Sequence, residues 1–103
     1  MGLPEQSAEA RAAALAKAAE ARKVRAEAKE LLQMGAVTFA ELLERAETDE
    51  ILAGMKIGTV LPSIPKMGKV TSKRLLEELG IDGTHRLRRL GSRQRAALLE
   101  RLS

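Results

Sequence analysis

The chain has 103 residues, a formal net charge of +4 and no cysteine. A chain of this length is expected to form one domain with a modest core. The lack of cysteine excludes disulfides, thiolate metal sites and cysteine nucleophiles. No apolar run approaches the ~20 residues of a membrane-spanning helix, and the N-terminus lacks the pattern of a secretory signal, so we expect neither.

The positive charge is unevenly distributed along the chain. Residues 1–35 carry a balance of +1, residues 36–55 a balance of −4, and residues 56–103 a balance of +7. A solvated surface without a partner usually mixes its signs, so the concentration of charge in the C-terminal half favours a polyanionic partner. A basic surface that serves solubility alone is the alternative that composition leaves open.

A single long helix is predicted for the N-terminal segment, residues 1–35. The stretch from Ala8 to Gln33 is rich in alanine and holds no glycine or proline, while Ser7 can cap the start and Gly35 end the helix. The leucines form no continuous stripe along it. Only the last turns are therefore expected to dock on a core, and the first half should project into solvent.

Basic side chains share one side of this predicted helix, at about 100° per residue. They are Arg11, Arg22, Arg25 and Lys29. The stripe fits a helix that follows DNA, and it also fits a solvated face held by local ion pairs. The two interpretations are compatible, because one face can serve each purpose.

Residues 36–103 are predicted to form a compact core of short helices without strands. In chain order we first predict a helix opened by Thr38, a short helix capped by Asp49 that runs through Leu52, and a helix from Lys56 to Leu61 stopped by Pro62. A helix from Val70 to Leu79 closed by Gly80, one or two turns from Thr84 to Arg89, and a final helix capped by Ser92 follow. The predicted fold class is therefore all-α, with a long N-terminal helix packed on this core.

The sharpest local pattern is LPSIPKMGKVTSKRLLEELGI, residues 61–81, which predicts a helix, a tight hairpin and a second helix. Pro65 stiffens the hairpin, and Gly68 supplies conformational freedom and allows close approach of another molecule. Unpaired N–H groups and the positive dipole end make an anion site at the start of the second helix. Three lysines add charge there: Lys66, Lys69 and Lys73. A nucleic-acid phosphate fits this chemistry without any base being read.

A second basic cluster lies in HRLRRLGSRQR, residues 85–95. Its leucines should turn inward and its arginines outward, namely Arg86, Arg88, Arg89, Arg93 and Arg95. Arginine suits phosphate through bidentate pairing and can enter a narrow minor groove. His85 is the only histidine and has no partner at metal-ligand spacing, so we expect neither a metal site nor a cofactor.

The hairpin resembles a helix–hairpin–helix, whose usual form is Pro-Gly-hydrophobic-Gly followed by Lys or Arg. Lys66 stands here in the place of the first glycine. The whole chain, residues 4–102, resembles the actinobacterial integration host factors through RAAALAKAAEARKVRAEAKELL, MKIGTVLPSIPKMGKVTSKRLLEELGI and HRLRRLGSRQRAALLERL. The resemblance implies a helix–two-turns–helix core, sequence-tolerant binding to duplex DNA, DNA bending or compaction, and assistance to a phage integrase. It also implies DNA contacts in the second basic cluster.

Together these patterns predict a non-enzymatic, monomeric protein that binds double-stranded DNA in the cytoplasm, at the nucleoid, without a membrane or a cofactor. A phage integrase on shared DNA is a further expected partner. The predicted DNA-binding residues are Pro65, Lys66, Gly68, Lys69, Lys73, Arg86, Arg88, Arg89, Arg93, Arg22, Arg25 and Lys29.

Two other functions compete with this prediction. A helix–two-turns–helix core also occurs in a ribosomal protein, and the lack of an aromatic stacking platform argues against single-stranded RNA but not against folded RNA. Base-excision glycosylases carry a similar hairpin followed by a lysine nucleophile, and Lys73 lies a few residues downstream. The chain is too short for the second domain of a base-flipping pocket, which disfavours the enzyme.

Overall fold

The computed structural model describes residues 7–102 and folds them into six α-helices with no strand. The helices are α1 (Ala8–Gln33), α2 (Phe39–Ala46), α3 (Glu50–Ala53), α4 (Ile57–Val60), α5 (Lys69–Leu79) and α6 (Ser92–Leu102). Short 3₁₀ turns occupy Leu61–Ser63 and Leu87–Arg89. The predicted all-α fold is confirmed. Residues 1–6 of the predicted N-terminal segment, and residue 103, lie outside the described part of the chain.

α1 begins and ends where its capping residues predict. The Ser7 hydroxyl accepts the Ala10 N–H at 3.0 Å. Gly35, at φ +73, closes the helix, and the Ala36 N–H donates to the Leu31 carbonyl at 2.9 Å. A left-handed glycine with this hydrogen bond satisfies carbonyls that the helix end would otherwise leave unpaired.

Only the second half of α1 packs against the rest of the protein. Every described residue up to position 20 is exposed, including Leu15 at 70%. Ala28 and Leu32 are buried, and Val24 and Leu31 pack beside them. The molecule therefore extends over 54 Å in one direction but only 29 and 26 Å in the others. The first half of α1 is thus exposed on all sides over its described length.

The core holds the short helices in place. The predicted capping box of α2 is present, with the Thr38 hydroxyl and the Glu41 carboxylate each accepting the other's backbone N–H at 3.1 Å. α4 spans four residues, yet Ile57 and Val60 are both fully buried. Burying such a side chain stabilises a fold by about 1.5–3 kcal/mol, so packing, rather than helix length, maintains α4.

The predicted helical turns from Thr84 to Arg89 are only partly correct. Thr84 lies in a turn that the His85 N–H closes by donating to the Asp82 carbonyl at 3.0 Å. His85 and Arg86 then form an extended segment, because the Ile57 N–H donates to the His85 carbonyl at 2.8 Å and the Leu87 N–H donates to the Met55 carbonyl at 2.9 Å. These two hydrogen bonds form an isolated bridge between Lys56 and Arg86. The segment thus runs antiparallel to the residues that lead into α4 instead of forming a helical turn.

Two other predicted helix ends are shifted. The fourth helix ends just before Pro62, as predicted, but it begins at Ile57 with Lys56 as its cap. Pro62 then fits the beginning of the 3₁₀ turn Leu61–Ser63, where proline needs no N–H partner. Ser92 is the first residue of α6 rather than its cap. The Gln94 side chain accepts the Gly91 N–H at 3.0 Å and so satisfies the backbone ahead of the helix.

Candidate nucleic-acid interface

The hairpin corner, residues 65–71, joins the 3₁₀ turn to α5. The Met67 N–H donates to the Ile64 carbonyl at 3.0 Å, which closes the turn, and the Met67 side chain packs against the core. Lys66 adopts φ +68, the left-handed conformation that favours glycine. The hairpin thus keeps its left-handed residue at the position where the usual motif has glycine, and a lysine side chain projects from it.

The start of α5 leaves its backbone donors accessible. Gly68 is exposed, and no side chain among residues 7–102 caps the helix at this end. The first N–H with an intrahelical acceptor is that of Ser72, which donates to the Gly68 carbonyl at 2.9 Å. The N–H groups of the preceding turn and the helix dipole therefore favour an anion at this corner.

Gly68 contributes space rather than an unusual backbone conformation. Its φ of −86 and ψ of 177 suit any residue, so the predicted need for conformational freedom at this position is wrong. A Cβ built on Gly68 meets nothing within 4 Å. The place that a side chain would fill is open to an approaching group, as the predicted close access requires.

A groove of about 870 Å³ between α1 and α5 brings together lysines that are distant in sequence. Lys69 and Lys73 line it from α5, and Lys29 lines it from α1. Glu30 and Glu77 also line this groove, so its charge is mixed rather than purely basic. The structure thus joins the predicted α1 stripe to the hairpin lysines.

Arg22 and Arg25 continue the stripe on the turns of α1 before Lys29. Arg22 is exposed, while Arg25 and Lys29 are half-buried with part of each side chain against the protein. Long basic side chains can cover apolar surface with their stems while the charged ends stay in water. The stripe is therefore continuous with the groove.

One acidic side chain of the groove is held by its neighbours. Asp82 accepts the Thr84 N–H and the Thr84 hydroxyl, each at 2.8 Å. The backbone hydrogen bond, and then the hydroxyl, lower the pKa of this exposed carboxyl below its ordinary value. Asp82 thus keeps its charge and shapes the predicted turn into the extended segment.

The arginines of the second basic cluster are divided between two hollows. Arg86 and Arg89 line one hollow together with His85, and Arg88 lines both. The second hollow is bounded by acidic residues of the α2–α3 region, Glu47, Asp49 and Glu50. Arg93 is exposed on the first turn of α6.

The prediction that every arginine of this cluster turns outward is wrong for Arg95. Its guanidinium lies 3.6 Å from the Glu47 carboxylate, and the residue is half-buried. Arg86 is exposed, but its guanidinium donates to the Gly54 carbonyl, which fixes its direction. Glu47 caps the C-terminal, negative end of α2, which attracts Arg95. This pair was not predictable from the sequence, because the two residues are far apart in the chain.

Sequence reasoning missed three features of this region. Lys56 is exposed beside Arg86, with which it forms the isolated bridge. Gly58 and Gly83 touch so closely that a Cβ on Gly58 would lie 2.8 Å from the Gly83 carbonyl oxygen. Val70, beside the lysines of the hairpin corner, is 72% exposed. Helical periodicity indicates the exposure of Val70, because it lies opposite the buried Leu75 and Leu76 on α5.

The arrangement of short helices, with two successive turns between α4 and α5, defines the class of protein. Residues 32–102 match the family model described as the S13-like H2TH domain, in which H2TH stands for helix–two-turns–helix. None of the helices within residues 7–102 combines the length and apolarity needed to span a bilayer. The predicted helix–two-turns–helix core is therefore confirmed.

Comparison with curated proteins is more specific. The chain is 50% identical over 101 residues to the integration host factors of Mycolicibacterium smegmatis and Mycobacterium tuberculosis, covering 98% of this chain and 96% of each relative. It is 42% identical over 98 residues to the integration host factor of Streptomyces coelicolor, covering 95% of this chain and 92% of the relative. The chain belongs to the integration host factor family, as the resemblance predicted.

A solved structure described as sIHF bound to an 8-base-pair palindromic DNA shares this fold. Its TM-score with the chain is 0.81 at 37% sequence identity, and the match covers 84% of this chain and 98% of that one. The two proteins thus share one fold over the matched part of this chain.

Proposed function

We propose that this protein binds double-stranded DNA through its phosphates, without reading base sequence, and bends or compacts it as a nucleoid-associated protein. One observation carries the proposal. The start of α5 is uncapped and open, and two exposed lysines, Lys66 and Lys69, flank it. Membership of the integration host factor family, and the DNA-bound relative, support duplex DNA as the polyanion.

The hairpin corner holds one phosphate group of the duplex. Its N–H donors and the helix dipole complement the negative charge, and the absent side chain at Gly68 lets the sugar–phosphate backbone come close. Lys66, Lys69 and Lys73 add charge around this contact, and Pro65 keeps the exposed turn rigid. Contacts of this kind fix the position of a protein on DNA and carry no sequence information.

Flanking phosphates meet the other basic surfaces. Lys29 extends the hairpin contact across the groove, and Arg22 and Arg25 continue it along α1. The arginines of the second basic cluster contact a second stretch of the DNA sugar–phosphate backbone. These arginines are Arg86, Arg88, Arg89 and Arg93. The groove between α1 and α5 shares no lining residue with the hollow formed by Arg86 and Arg89, so the two surfaces are separate. We propose that a straight duplex does not meet both of them.

Bending the DNA brings both surfaces into contact. Smooth bending by about 40–90° over roughly 20–30 base pairs costs on the order of 1–6 kcal/mol, which additional phosphate contacts repay. A bend in the DNA brings the segments on either side of it closer together, which favours recombination between them. We propose that an integrase sharing the same DNA benefits from this bend rather than from contact with the protein.

The remaining parts of the proposal concern chemistry and location. The protein acts without catalysis and without a cofactor, it binds as a monomer, and it resides at the nucleoid in the cytoplasm. Among residues 7–102 no group of three His, Asp or Glu side chains has the arrangement of a metal site. A covalent adduct between Lys73 and damaged DNA, trapped with borohydride, would show glycosylase activity and would overturn the non-enzymatic role.

Structured RNA is the competing ligand, because the matching domain model is described as S13-like. A salt titration of binding, measured by fluorescence anisotropy on random-sequence duplex DNA and on a folded RNA of equal length, separates the two. With roughly 4–8 phosphates neutralised, the logarithm of the association constant should fall with a slope of about −4 to −7 against the logarithm of salt. A slope near zero, or tighter binding to the RNA, contradicts the proposal.

The matched variants for this titration are Lys69→Ala and Lys17→Ala. Loss of Lys69 should weaken binding by a similar factor on unrelated duplexes and make the slope less negative by about 1. Lys17 lies on the projecting half of α1, off the basic stripe, and its loss should change neither value appreciably. A Lys69 effect confined to one DNA sequence would indicate base reading instead.

A further inference from the structure

Val70 is an apolar side chain in a charged setting. It is one of three large hydrophobic side chains that are exposed within residues 7–102, at 72%, the others being Leu15 and Met34. Leu15 lies on the projecting half of α1, and Met34 lies just beyond its end. Val70 alone among these three belongs to the hairpin corner, directly after Lys69.

The fold gives Val70 no packing role. The buried positions of α5 are Ser72, Leu75 and Leu76, which lie on the other side of the helix. A β-branched residue is also a poor choice for an exposed helical position, since its side chain loses rotational freedom there. A valine at this exposed position therefore favours the helix less than an alanine or a leucine would.

We propose that Val70 is an apolar DNA contact, which packs against the sugars that line the minor groove next to the phosphate held by the start of α5. This inference rests on the proposed function. A residue adjacent to a phosphate-binding N–H group lies within reach of the neighbouring deoxyribose. The first turn of α5 contains no acidic residue that would repel the duplex.

The stiffness of valine suits this contact. Its χ1 is already restricted in a helix, so little freedom is lost when the side chain is pressed against a sugar. Proteins that bend DNA commonly place apolar side chains in the minor groove, where they favour a widened or kinked duplex. Val70 thus gives the phosphate-holding corner a direct means of favouring bent DNA.

An apolar contact differs from a lysine in its response to salt. Burial of a valine against sugars releases no counterion, so its loss should weaken binding equally at all salt concentrations. Loss of Lys69 should instead change the slope of the salt titration. The two contributions can therefore be separated in one series of measurements.

The experiment compares Val70→Thr, Val70→Ile and the unaltered protein on one random-sequence duplex of about 30 base pairs, with donor and acceptor dyes at its ends. Threonine has nearly the same shape but a polar end, and it should weaken binding about threefold to tenfold, with an unchanged salt slope and a reduced bend. Isoleucine should retain both affinity and bend. Leu15→Thr is the matched control and should behave as the unaltered protein.

The outcomes separate the inference from the function on which it rests. Thermal unfolding should show the same stability for Val70→Thr as for the unaltered protein, since the side chain is exposed. If the unaltered protein binds the duplex and Val70→Thr matches its affinity and bend, or shifts the salt slope as Lys69→Ala does, the inference is wrong. If the unaltered protein shows no salt-dependent duplex binding, the proposed function fails and the inference fails with it.

Discussion

Lys66 adopts a backbone conformation that a lysine enters only at a cost. It is the one described residue other than glycine with a positive φ, at +68. The left-handed conformation costs a residue with a Cβ about 1–2 kcal/mol. Strain of this kind is typical of functional sites, because the surrounding structure maintains it for a purpose other than stability. We propose that at the hairpin corner this purpose is to place a positive charge beside the bound phosphate.

Replacing Lys66 with glycine should therefore move stability and affinity in opposite directions. Lys66→Gly relieves the backbone strain, partly offset by the greater freedom of glycine in the unfolded chain, and should raise the free energy of unfolding by about 0.5–1 kcal/mol. It should also weaken DNA binding and make the salt slope less negative by about 1. Urea unfolding and a salt titration measure the two effects. A loss of stability would contradict this account of Lys66.

Nearby sequence was enough to predict that a turn precedes α5, because proline, glycine and lysine occur together before a helix. The binding roles of Pro65, Gly68 and the hairpin lysines stay predictions. The sequence did not indicate that Arg95 pairs with Glu47, since the partner lies on a different helix. Nor did it show which residue of the turn takes the left-handed conformation, because Gly68 is the expected candidate and Lys66 is the observed one.

Among the elements, the contact between α4 and the extended segment depends on two glycines. The Gly58 N–H donates to the Gly83 carbonyl at 2.9 Å. A Cβ on Gly58 would lie 2.8 Å from that same oxygen, so the backbones approach more closely than any other residue allows. This contact positions the segment that carries Arg86 and its neighbours.

Gly58→Ala should consequently destabilise the fold by about 1–3 kcal/mol, because backbone atoms must shift to make room. The matched control is Gly68→Ala, where a Cβ meets nothing within 4 Å and the loss should be at most about 1 kcal/mol. Thermal unfolding compares the two. Gly68→Ala should instead weaken DNA binding, since the new methyl group occupies the approach to the hairpin corner. Equal destabilisation by both variants would contradict the assigned roles.

We propose that α1 extends the DNA-binding surface of the hairpin corner rather than acting as a solvated spacer. Arg22→Gln with Arg25→Gln should weaken duplex binding and make the salt slope less negative by about 1–2, because two phosphate contacts are lost. The charge-matched control is Lys17→Gln with Lys23→Gln, which removes two cations from other sides of the same helix. Adding Lys29→Gln to the two arginine substitutions should weaken duplex binding further. If both pairs have the same effect, α1 contributes only general charge.

Helix boundaries were predictable where a local cap sets them. Ser7, Thr38, Asp49 and Gly80 all occupy the capping positions that the sequence indicated. The extended segment of residues 85–86 was not predictable, since its backbone partners at positions 55–57 are about thirty residues away. Propensity describes neighbours in sequence, and this segment takes its conformation from neighbours in space.

At the scale of the whole molecule, charge is arranged by face. Acidic residues gather on the α2–α3 region, where they pair with Arg95 and lie beside Arg88. The hairpin corner, the α1 stripe and the remaining arginines leave basic surface elsewhere. An acidic face opposes docking in the wrong orientation, so the long molecule should approach a duplex with its basic surfaces first.

The most direct test of the account is an NMR titration of the backbone amides with a random-sequence duplex of about 20–30 base pairs. The account predicts that the earliest and largest shifts occur at the amides of residues 68–71, followed by smaller changes along the groove around Lys29 and Lys73. Unshifted amides at 68–71 in a protein that is otherwise saturated with duplex, with the changes confined to other surfaces, would contradict the claim that the start of α5 holds the phosphate.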